Sequence, residues 1–214
     1  MKVISLANQK GGCGKSTIVI NLALNFALQK KRVILFDTDP QKSSYETLQV
    51  REDKLFKVVG AYSDIYQNLE KYEPDYDYAL IDTPPHDTEI VTVSVVCSDL
   101  VIIPVQDSPL DIRSTKATVD LIRKAKVLNP DLKYYFLLSR IQPNTVLAKE
   151  LAEILTNRYE TPILKTQISN RVAYKYSLIY GKAVTEMFSN DAAATEINAL
   201  SKEILTILNE ESKR

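Results

Sequence analysis

The chain concentrates its glycines in one short segment. It has 214 residues and only five glycines, and three of these, Gly11, Gly12 and Gly14, stand in the run KGGCGKST. Glycine permits backbone conformations and close approaches that side chains prevent. Successive backbone N–H groups in such a loop form a concave site for anions such as phosphate. The segment Gly11–Lys15 is therefore predicted to wrap phosphate oxygens.

The residues after the glycines have the side chains that a nucleoside triphosphate and its metal ion require. Lys15 is expected to reach the β- and γ-phosphates, and the Ser16 hydroxyl is expected to bind Mg²⁺. Thr17 can support the α-phosphate, and a helix that begins near Lys15 adds partial positive charge there. The pattern G-x-x-x-x-G-K-[ST] is not matched in full, because Gln9 replaces its first glycine and an additional lysine, Lys10, follows.

Three carboxylates follow apolar runs that have the character of strands. Asp37 and Asp39 come after Val33–Phe36, and Asp82 ends the run that begins at Tyr78. Open α/β sheets bind ligands at the carboxyl ends of their strands, so these carboxylates are expected near the phosphate loop. An aspartate after four apolar residues is typical of a group that holds Mg²⁺ through water, which is the role predicted for Asp82.

Short apolar runs alternate with segments of helical periodicity along the chain. The runs are nearly continuous and rich in Val, Ile and Leu, which is typical of central strands in a parallel sheet. The alternation predicts an α/β fold, a doubly wound and mainly parallel sheet flanked by helices, in which residues 1–214 form a single domain. The predicted strands are Val3–Ala7, Val33–Phe36, Tyr78–Ile81, Leu100–Val105 and Tyr134–Leu138, and the predicted helices are Thr17–Gln29, Ser63–Tyr72, Ser114–Val127, Thr145–Tyr159 and Ala192–Glu210.

The motif K-G-G-x-G-K-[ST] resembles the deviant Walker A motif of the ParA/MinD family of P-loop ATPases. DTDPQ at 37–41 is similar to the second signature of that family, and DTPP at 82–85 is similar to its switch segment. The resemblance covers essentially the whole chain and implies a P-loop NTPase fold, ATP as substrate and Mg²⁺ as cofactor. Because the phosphate loop begins by residue 10, no N-terminal helix-turn-helix is expected, and the chain looks like the short, ParF-like members.

The resemblance implies two catalytic roles besides that of Lys15. Lys10 would reach across a nucleotide-sandwich homodimer to the partner subunit's ATP, where its charge offsets repulsion between phosphates. Asp39 would orient or activate the attacking water, and Asp37 would lie near the Mg²⁺ shell. Hydrolysis is expected to be slow without a partner, because the ATP-bound dimer must persist.

The resemblance also implies further nucleotide contacts. Cys13 occupies the variable position of the phosphate loop, and Pro104 lies on a strand whose prolines approach the ribose and adenine in relatives. Arg140 follows the next strand and is placed along the adenine, with a solvent-facing arginine as the alternative.

The neutral total charge conceals a basic segment. The chain has 27 Lys or Arg and 27 Asp or Glu, but residues 111–182 contain 13 of the former and 6 of the latter, a net charge of +7. Within this segment, ISNRVAYKYSLIYGKAV resembles the family stretch that contacts DNA. The resemblance implies that Arg171, Lys175 and Lys182 bind DNA phosphates without reading sequence. An ordinary solvated helix face is the alternative, because charge counting does not locate a patch.

The favoured hypothesis is a partition ATPase whose ATP-bound dimer binds nonspecific DNA. A small centromere-binding protein of the ParB or ParG kind would stimulate hydrolysis and switch the dimer off, so that plasmid or chromosome DNA is segregated. A ParA-type ATPase that positions another cargo, such as carboxysomes or chemotaxis clusters, is an alternative that sequence alone does not separate. A MinD-like membrane-cycling ATPase is a further alternative, but the C-terminal LTILNEESKR lacks the basic amphipathic character that membrane insertion needs.

The sparse cysteines and the single histidine exclude several classes of site. Cys13 and Cys97 form no CxxC pair, which argues against a disulfide framework and a zinc site, and Cys97 alone does not support a bridging iron–sulfur cluster. With no signal peptide evident, a cytoplasmic location is predicted, with nucleoid association in the ATP state. The anion-binding loop can lower the pKa of the Cys13 thiol. His86 is expected to be a loop residue, because phosphoryl transfer depends mainly on positioning and electrostatics.

Overall fold

The computed structural model describes residues 1–53, 55–62, 64–107, 109–142 and 145–209, and for residues 109–114 it describes the backbone alone. Within these ranges the chain forms one seven-stranded sheet in which every neighbouring pair of strands is parallel. The strands are β1 Lys2–Leu6, β2 Val33–Asp37, β3 Lys57–Gly60, β4 Tyr78–Asp82, β5 Leu100–Val105, β6 Lys133–Ile141 and β7 Ile168–Ser169. Their order across the sheet is β3-β2-β4-β1-β5-β6-β7.

Helices connect the strands and cover the sheet. They are α1 Lys15–Leu28, α2 Ser43–Gln49, α3 Ile65–Tyr72, α4 Thr88–Val96, α5 Pro109–Ala125, α6 Val146–Tyr159, α7 Val172–Ile179, α8 Val184–Met187 and α9 Ala192–Asn209, with a short 3-10 turn at Glu73–Asp75. This confirms the predicted doubly wound fold. The predicted helix ends at Ser63 and Glu210 lie outside the described residues.

Alternate residues of the central strands pack on opposite faces of the sheet, as the two-residue period of a strand requires. On β1, Ile4 and Leu6 join the apolar cluster beneath α1 and α9, whereas Val3 joins the cluster that contains Ile65 and Leu69 of α3. Both faces are therefore buried, which explains why the strand sequences are continuously apolar.

Helix α1 lies in the interior and is fixed on its outer side by α9. Its residues from Ile18 to Ala27 are buried. The Asn25 amide bonds across to α9, donating to Asn198 at 2.8 Å and accepting from the Ser201 hydroxyl at 2.8 Å. Because buried polar groups need partners, these bonds fix the register between the two helices, and so they fix the helix that begins at the phosphate loop.

Candidate nucleotide-binding site

The carboxyl ends of three central strands meet beside the glycine-rich loop. In the register of the sheet, Asp82 at the end of β4 is paired with Leu6 on one side and with Asp37 on the other. The chain leaves β1 at Leu6 and enters the loop that leads to α1. The topology therefore brings the loop and two of the three predicted carboxylates to one edge of the sheet, as their positions after strands predicted.

The loop uses glycine where its backbone requires it. Gly12 and Gly14 have positive φ angles of 77° and 95°. A Cβ atom on Gly14 would also lie 3.0 Å from the Ser139 hydroxyl oxygen. Gly14 is the N-cap of α1 and provides no side-chain cap, so the first N–H groups of the helix are available to an anion.

Lys15 lies within the loop, and its side chain is almost fully buried, with 6% of the residue exposed. Its ammonium group donates to the carbonyl oxygens of Asn8 at 2.9 Å and Lys10 at 3.1 Å. The Lys10 backbone N–H in turn donates to the Asn8 side chain at 2.9 Å. These bonds hold a positive charge against the inner surface of the loop, where it can pair with phosphate oxygens.

Gln106, which follows β5, and two residues of β6 hold the outer side of the loop. The Gly12 carbonyl accepts from the Arg140 guanidinium at 2.5 Å and from the Gln106 amide at 2.8 Å. The Cys13 carbonyl accepts from the Ser139 hydroxyl at 2.8 Å. Turning these carbonyls outward leaves the loop N–H groups to face inward, as phosphate binding requires.

The two strand-end carboxylates differ in their hydrogen bonding. Asp37 is buried and accepts from the backbone N–H groups of Asp39 at 3.1 Å and Tyr45 at 2.8 Å, one bond to each oxygen. Asp82 is also buried, and one oxygen accepts from the Ser44 hydroxyl at 2.6 Å. Its other oxygen, Oδ1, is buried and has no hydrogen-bond partner among the described residues.

The unpartnered oxygen of Asp82 fits a magnesium ion. Burial raises the pKa of Asp82 from 3.8 to about 7, against the opposing effect of the Ser44 and Ser16 hydroxyls. Burial likewise raises the pKa of Asp37. A buried carboxylate oxygen without a donor is costly, and a bound cation removes that cost. Among the described residues, no group of three or more His, Cys, Asp or Glu side chains that could hold a metal ion occurs.

Replacing Asp82 with asparagine is expected to stabilise the metal-free protein at high pH. Because its pKa is higher in the folded state, Asp82 binds protons more tightly there, so its contribution to stability falls as pH rises from about 4 to 7. Asparagine retains an acceptor for Ser44 but carries no charge to desolvate. In urea unfolding with EDTA present, the free energy of unfolding of Asp82→Asn should exceed that of wild type by up to about 4 kcal/mol at pH 8 and by less at pH 5. The same difference at both pH values would contradict this.

The third carboxylate, Asp39, lies in the same cleft as the loop. It is half-buried and accepts from the Gln41 backbone N–H at 2.9 Å. The cleft has a volume of about 260 Å³. Its lining includes most of the predicted phosphate residues and, of the predicted metal residues, Ser16, but it does not include Lys10, Asp37 or Asp82. The lining residues are Gly11, Gly12, Gly14, Lys15, Ser16, Thr17, Asp39, Ser43, Thr83, Pro85 and Arg140.

A second pocket adjoins this cleft on the side of β6 and β7. The two share Gly14, Thr17 and Arg140. The second pocket is predominantly apolar. It is completed by Ile18 of α1, by Ser139 of β6 and by residues of the segment from β7 to α7, namely Ile168, Ser169, Asn170, Arg171, Tyr174 and Lys175. A phosphate chain bound by the loop would therefore have a less polar pocket at one of its ends.

The predicted DNA-binding residues do not share one environment. Arg171 forms an ion pair with Glu196, with its Nε 2.9 Å from a carboxylate oxygen, and lines the second pocket. Lys175 is exposed at the edge of that pocket. Lys182 is exposed in the turn after α7. The two lysines are thus placed as a basic surface requires, whereas the charge of Arg171 is used within the protein.

Three other predicted residues lie outside the cleft lining. Pro104 is buried in β5, and its carbonyl accepts from the Asn8 amide at 2.8 Å, so it supports the start of the loop. The Cys13 thiol is buried, and its burial raises the pKa, so the lowered pKa that the sequence suggested is wrong. His86 is exposed with a positive φ of 68°, which agrees with a loop residue.

Sequence reasoning missed several groups that shape the site. Ser44 bonds Asp82, Thr83 donates to the Leu6 carbonyl at 2.7 Å, and Gln106 bonds the loop. Hydroxyl and amide residues of this kind occur throughout the chain and follow no spacing rule. The one available signal was position, and only for Thr83, which directly follows the strand-end carboxylate Asp82, whereas Ser44 is seven residues after Asp37.

Comparison with known proteins identifies the family. The model of the CobQ/CobB/MinD/ParA nucleotide binding domain matches residues 4–184. Maintenance of carboxysome distribution protein A of Halothiobacillus neapolitanus is 31% identical over 208 residues, which cover 94% of this chain and 95% of that protein. The chromosome-partitioning ATPase Soj of Thermus thermophilus is 24% identical over 242 residues, and the match covers 97% of this chain and 96% of that protein.

Solved structures show the same fold. The structure of apo McdA from Cyanothece matches with a TM-score of 0.78 at 17% identity, over 95% of this chain and 99% of that one. Together with the family match, which spans most of the chain, this confirms the resemblance that the loop motif predicted. The chain belongs to the ParA/MinD family of P-loop ATPases.

Proposed function

We propose that this protein is an ATP-driven positioning switch, a ParA-like ATPase that forms a dimer around ATP and binds DNA without sequence preference in that state. The observation that carries the proposal is the single cleft in which Lys15, Ser16 and Asp39 converge below the glycine loop. In it, the loop N–H groups and Lys15 bind the triphosphate, and the adjoining pocket takes the nucleoside.

The metal residues have the donors that Mg²⁺ prefers. We assign the ion to the Ser16 hydroxyl and to Asp82, with Asp37 behind them holding the start of α2 through its bond to Tyr45. When bound, Mg²⁺ neutralises part of the phosphate charge and favours in-line attack at the γ-phosphate. Asp39 then orients the attacking water, since its carboxylate faces the cleft and has one bond to the backbone N–H of Gln41.

Lys10 supports the dimer in this proposal. Its carbonyl accepts from Lys15, which fixes its backbone at the rim of the loop, yet the residue does not line its own subunit's cleft. A lysine held there is suited to the partner subunit's nucleotide. Because the charge pairing requires a triphosphate, dimerisation depends on ATP, and turnover is slow until a partner protein stimulates it.

Lys175 and Lys182 form the DNA surface in the proposal, with Arg171 in a supporting position because it is paired with Glu196. The double variant Lys175→Ala/Lys182→Ala is expected to keep ATP binding but to lose most DNA affinity. If each lysine neutralises one phosphate, the slope of log K against log salt should fall in magnitude by about 1.8. Fluorescence anisotropy of a DNA duplex with ATP, at several salt concentrations, measures this.

The double variant Lys30→Ala/Lys31→Ala is a matched control for the DNA experiment. It removes the same charge at exposed positions between α1 and β2, at the opposite edge of the sheet from the cleft. Its salt slope should equal that of wild type. Equal salt slopes for the two double variants would show that Lys175 and Lys182 do not form the DNA-binding surface.

The cargo has two candidates. Segregation of plasmid or chromosome DNA through a ParB- or ParG-like protein fits the likeness to Soj. A protein compartment as cargo is favoured by the higher identity to the carboxysome distribution protein, 31% over nearly the full length of both chains. Stimulation of hydrolysis by the product of a neighbouring gene distinguishes them: a centromere-binding protein supports partition, and a protein that binds a compartment shell supports the second candidate.

A membrane-cycling role is the remaining alternative. Among the described residues, no helix is long and apolar enough to cross a membrane. Of the C-terminal LTILNEESKR, the first five residues belong to α9, and residues 210–214 lie outside the described residues. Co-sedimentation with anionic liposomes in the presence of ATP tests this role directly. Binding to liposomes but not to DNA would replace the nucleoid with the membrane as the site of action.

A further inference from the structure

Glu196 on α9 is the centre of a compact hydrogen-bond network. One carboxylate oxygen accepts from the Ser169 N–H at 3.0 Å and the Tyr174 hydroxyl at 2.8 Å. The other accepts from the Arg171 Nε at 2.9 Å and the Ser169 hydroxyl at 2.5 Å. The carboxylate is thus bonded by four donors from three residues, and its side chain is only 14% exposed.

All three donor residues line the pocket beside the phosphate cleft, whereas Glu196 does not. Ser169 ends β7, Arg171 is the N-cap of α7, and Tyr174 lies in the first turn of that helix. Strand β7 has only two residues and stands at the edge of the sheet, so its ladder with β6 gives the segment little support. Glu196 therefore supplies the fixed point to which this wall of the pocket is tied.

Removing the carboxylate would leave several groups without a partner. The Ser169 N–H is buried and would be unpaired, which is costly. The Tyr174 hydroxyl, also buried, would keep only its longer bond to the Ala193 carbonyl at 3.2 Å. The Arg171 guanidinium would lose its one ion-pair partner among the described residues and would turn toward solvent or the pocket. The predicted consequence is a displaced or loosened wall, with no change in the glycine loop on the opposite side.

We propose that Glu196 is a positioning residue that shapes the nucleoside pocket through Ser169, Arg171 and Tyr174, and so sets the affinity for the adenosine part of ATP without affecting triphosphate binding. This rests on the proposed function, in which the loop binds the triphosphate and the adjoining pocket takes the nucleoside. It also gives Arg171 a role inside the protein in place of a DNA contact.

The test compares two ligands, Mg²⁺-ATP and Mg²⁺-tripolyphosphate, by isothermal titration calorimetry. Glu196→Ala is expected to weaken ATP binding by about tenfold or more. Its tripolyphosphate affinity should stay within about twofold of wild type. Glu196→Gln keeps one acceptor oxygen, so its ATP affinity should lie between those of Glu196→Ala and wild type. A variant that is merely less stable would lose affinity for both ligands, not for ATP alone.

Glu203→Ala is the matched control. Glu203 lies on the same helix two turns further on, and its carboxylate likewise accepts from two backbone N–H groups, those of Lys165 at 2.7 Å and Thr166 at 2.9 Å, but it does not touch the pocket lining. Its ATP and tripolyphosphate affinities should both match wild type. A selective loss of ATP affinity in this control as well would overturn the assignment to Glu196.

Other outcomes are equally decisive. Wild-type ATP affinity in folded Glu196→Ala refutes the positioning role, as does an equal loss for both ligands. If Glu196→Ala does not fold, Glu196→Gln and Tyr174→Phe replace it, and ATP affinity unchanged in both has the same meaning. Wild-type protein that binds neither ligand would instead refute the proposed nucleotide site.

Discussion

Replacing Lys15 with alanine is expected to abolish measurable ATP binding at micromolar protein concentrations. The ammonium group is held in the loop by the carbonyls of Asn8 and Lys10, so it is already in place for phosphate oxygens. Charge-assisted hydrogen bonds each contribute about 1.5 to 3 kcal/mol, and the loss of two gives a reduction in affinity of about 100-fold or more. Titration with a fluorescent ATP analogue in Mg²⁺ measures the change.

A loss of affinity after Lys15→Ala must be separated from a collapse of the loop. Lys31→Ala removes an equal charge from an exposed position and should bind ATP as wild type does. Thermal unfolding without nucleotide should show only a small change for Lys15→Ala, because Ser139, Gln106 and Arg140 hold the loop from its other side. Retention of ATP affinity within a few-fold of wild type would show that the cleft is not the nucleotide site.

The central part of the fold follows directly from hydrophobic pattern. All five predicted strands occur, because a strand buried on both faces must be apolar at every position, and few other segments of this chain are. The edge strands were not predicted for the opposite reason. In β3, Lys57–Gly60, the two end residues are exposed and the two middle residues are only partly buried, and β7, Ile168–Ser169, has two residues, so neither leaves a recognisable run.

Helix α4 shows how local propensity and tertiary context conflict. Its sequence TEIVTVSVV is rich in β-branched residues, which favour strands, and no helix was predicted there. Asp87 caps its first turn by accepting from the Ile90 N–H at 3.1 Å, and Val91 and Val95 are buried against the sheet at a spacing of four. A capping residue together with a helical face outweighs intrinsic preference, which is a weak prior in either direction.

Some residues of the site can be predicted from a sequence motif, whereas others are brought together only by the tertiary structure. Gly12, Gly14 and Lys15 are dictated by local chemistry, so their sequence spacing predicts them. The bond between Ser44 and Asp82 and the network around Glu196 join residues 38 and at least 22 positions apart. No spacing rule relates such residues, since their proximity depends on how the helices dock on the sheet. This is also why the ion pair of Arg171 was not predicted.

Replacing Asp39 with alanine is expected to separate ATP binding from ATP hydrolysis. Asp39 lines the cleft, and among the described residues its carboxylate bonds only the Gln41 N–H, so its removal leaves the bonds of Lys15 and Ser44 in place. Loss of a group that orients the attacking water should reduce hydrolysis by about 100-fold or more. ATP affinity should change by less than threefold, and the ATP-bound dimer should accumulate.

Three measurements on Asp39→Ala make this a test of the switch mechanism. Phosphate release gives the rate, titration with an ATP analogue gives the affinity, and light scattering with ATP and Mg²⁺ gives the mass. Asp131→Ala, a change at an exposed turn before β6, serves as the matched control and should hydrolyse ATP and dissociate as wild type does. If Asp39→Ala remains a monomer with ATP bound, dimerisation is not governed by the nucleotide. If it dimerises but hydrolyses at the wild-type rate, another group orients the water, and the switch is preserved with a different catalytic residue.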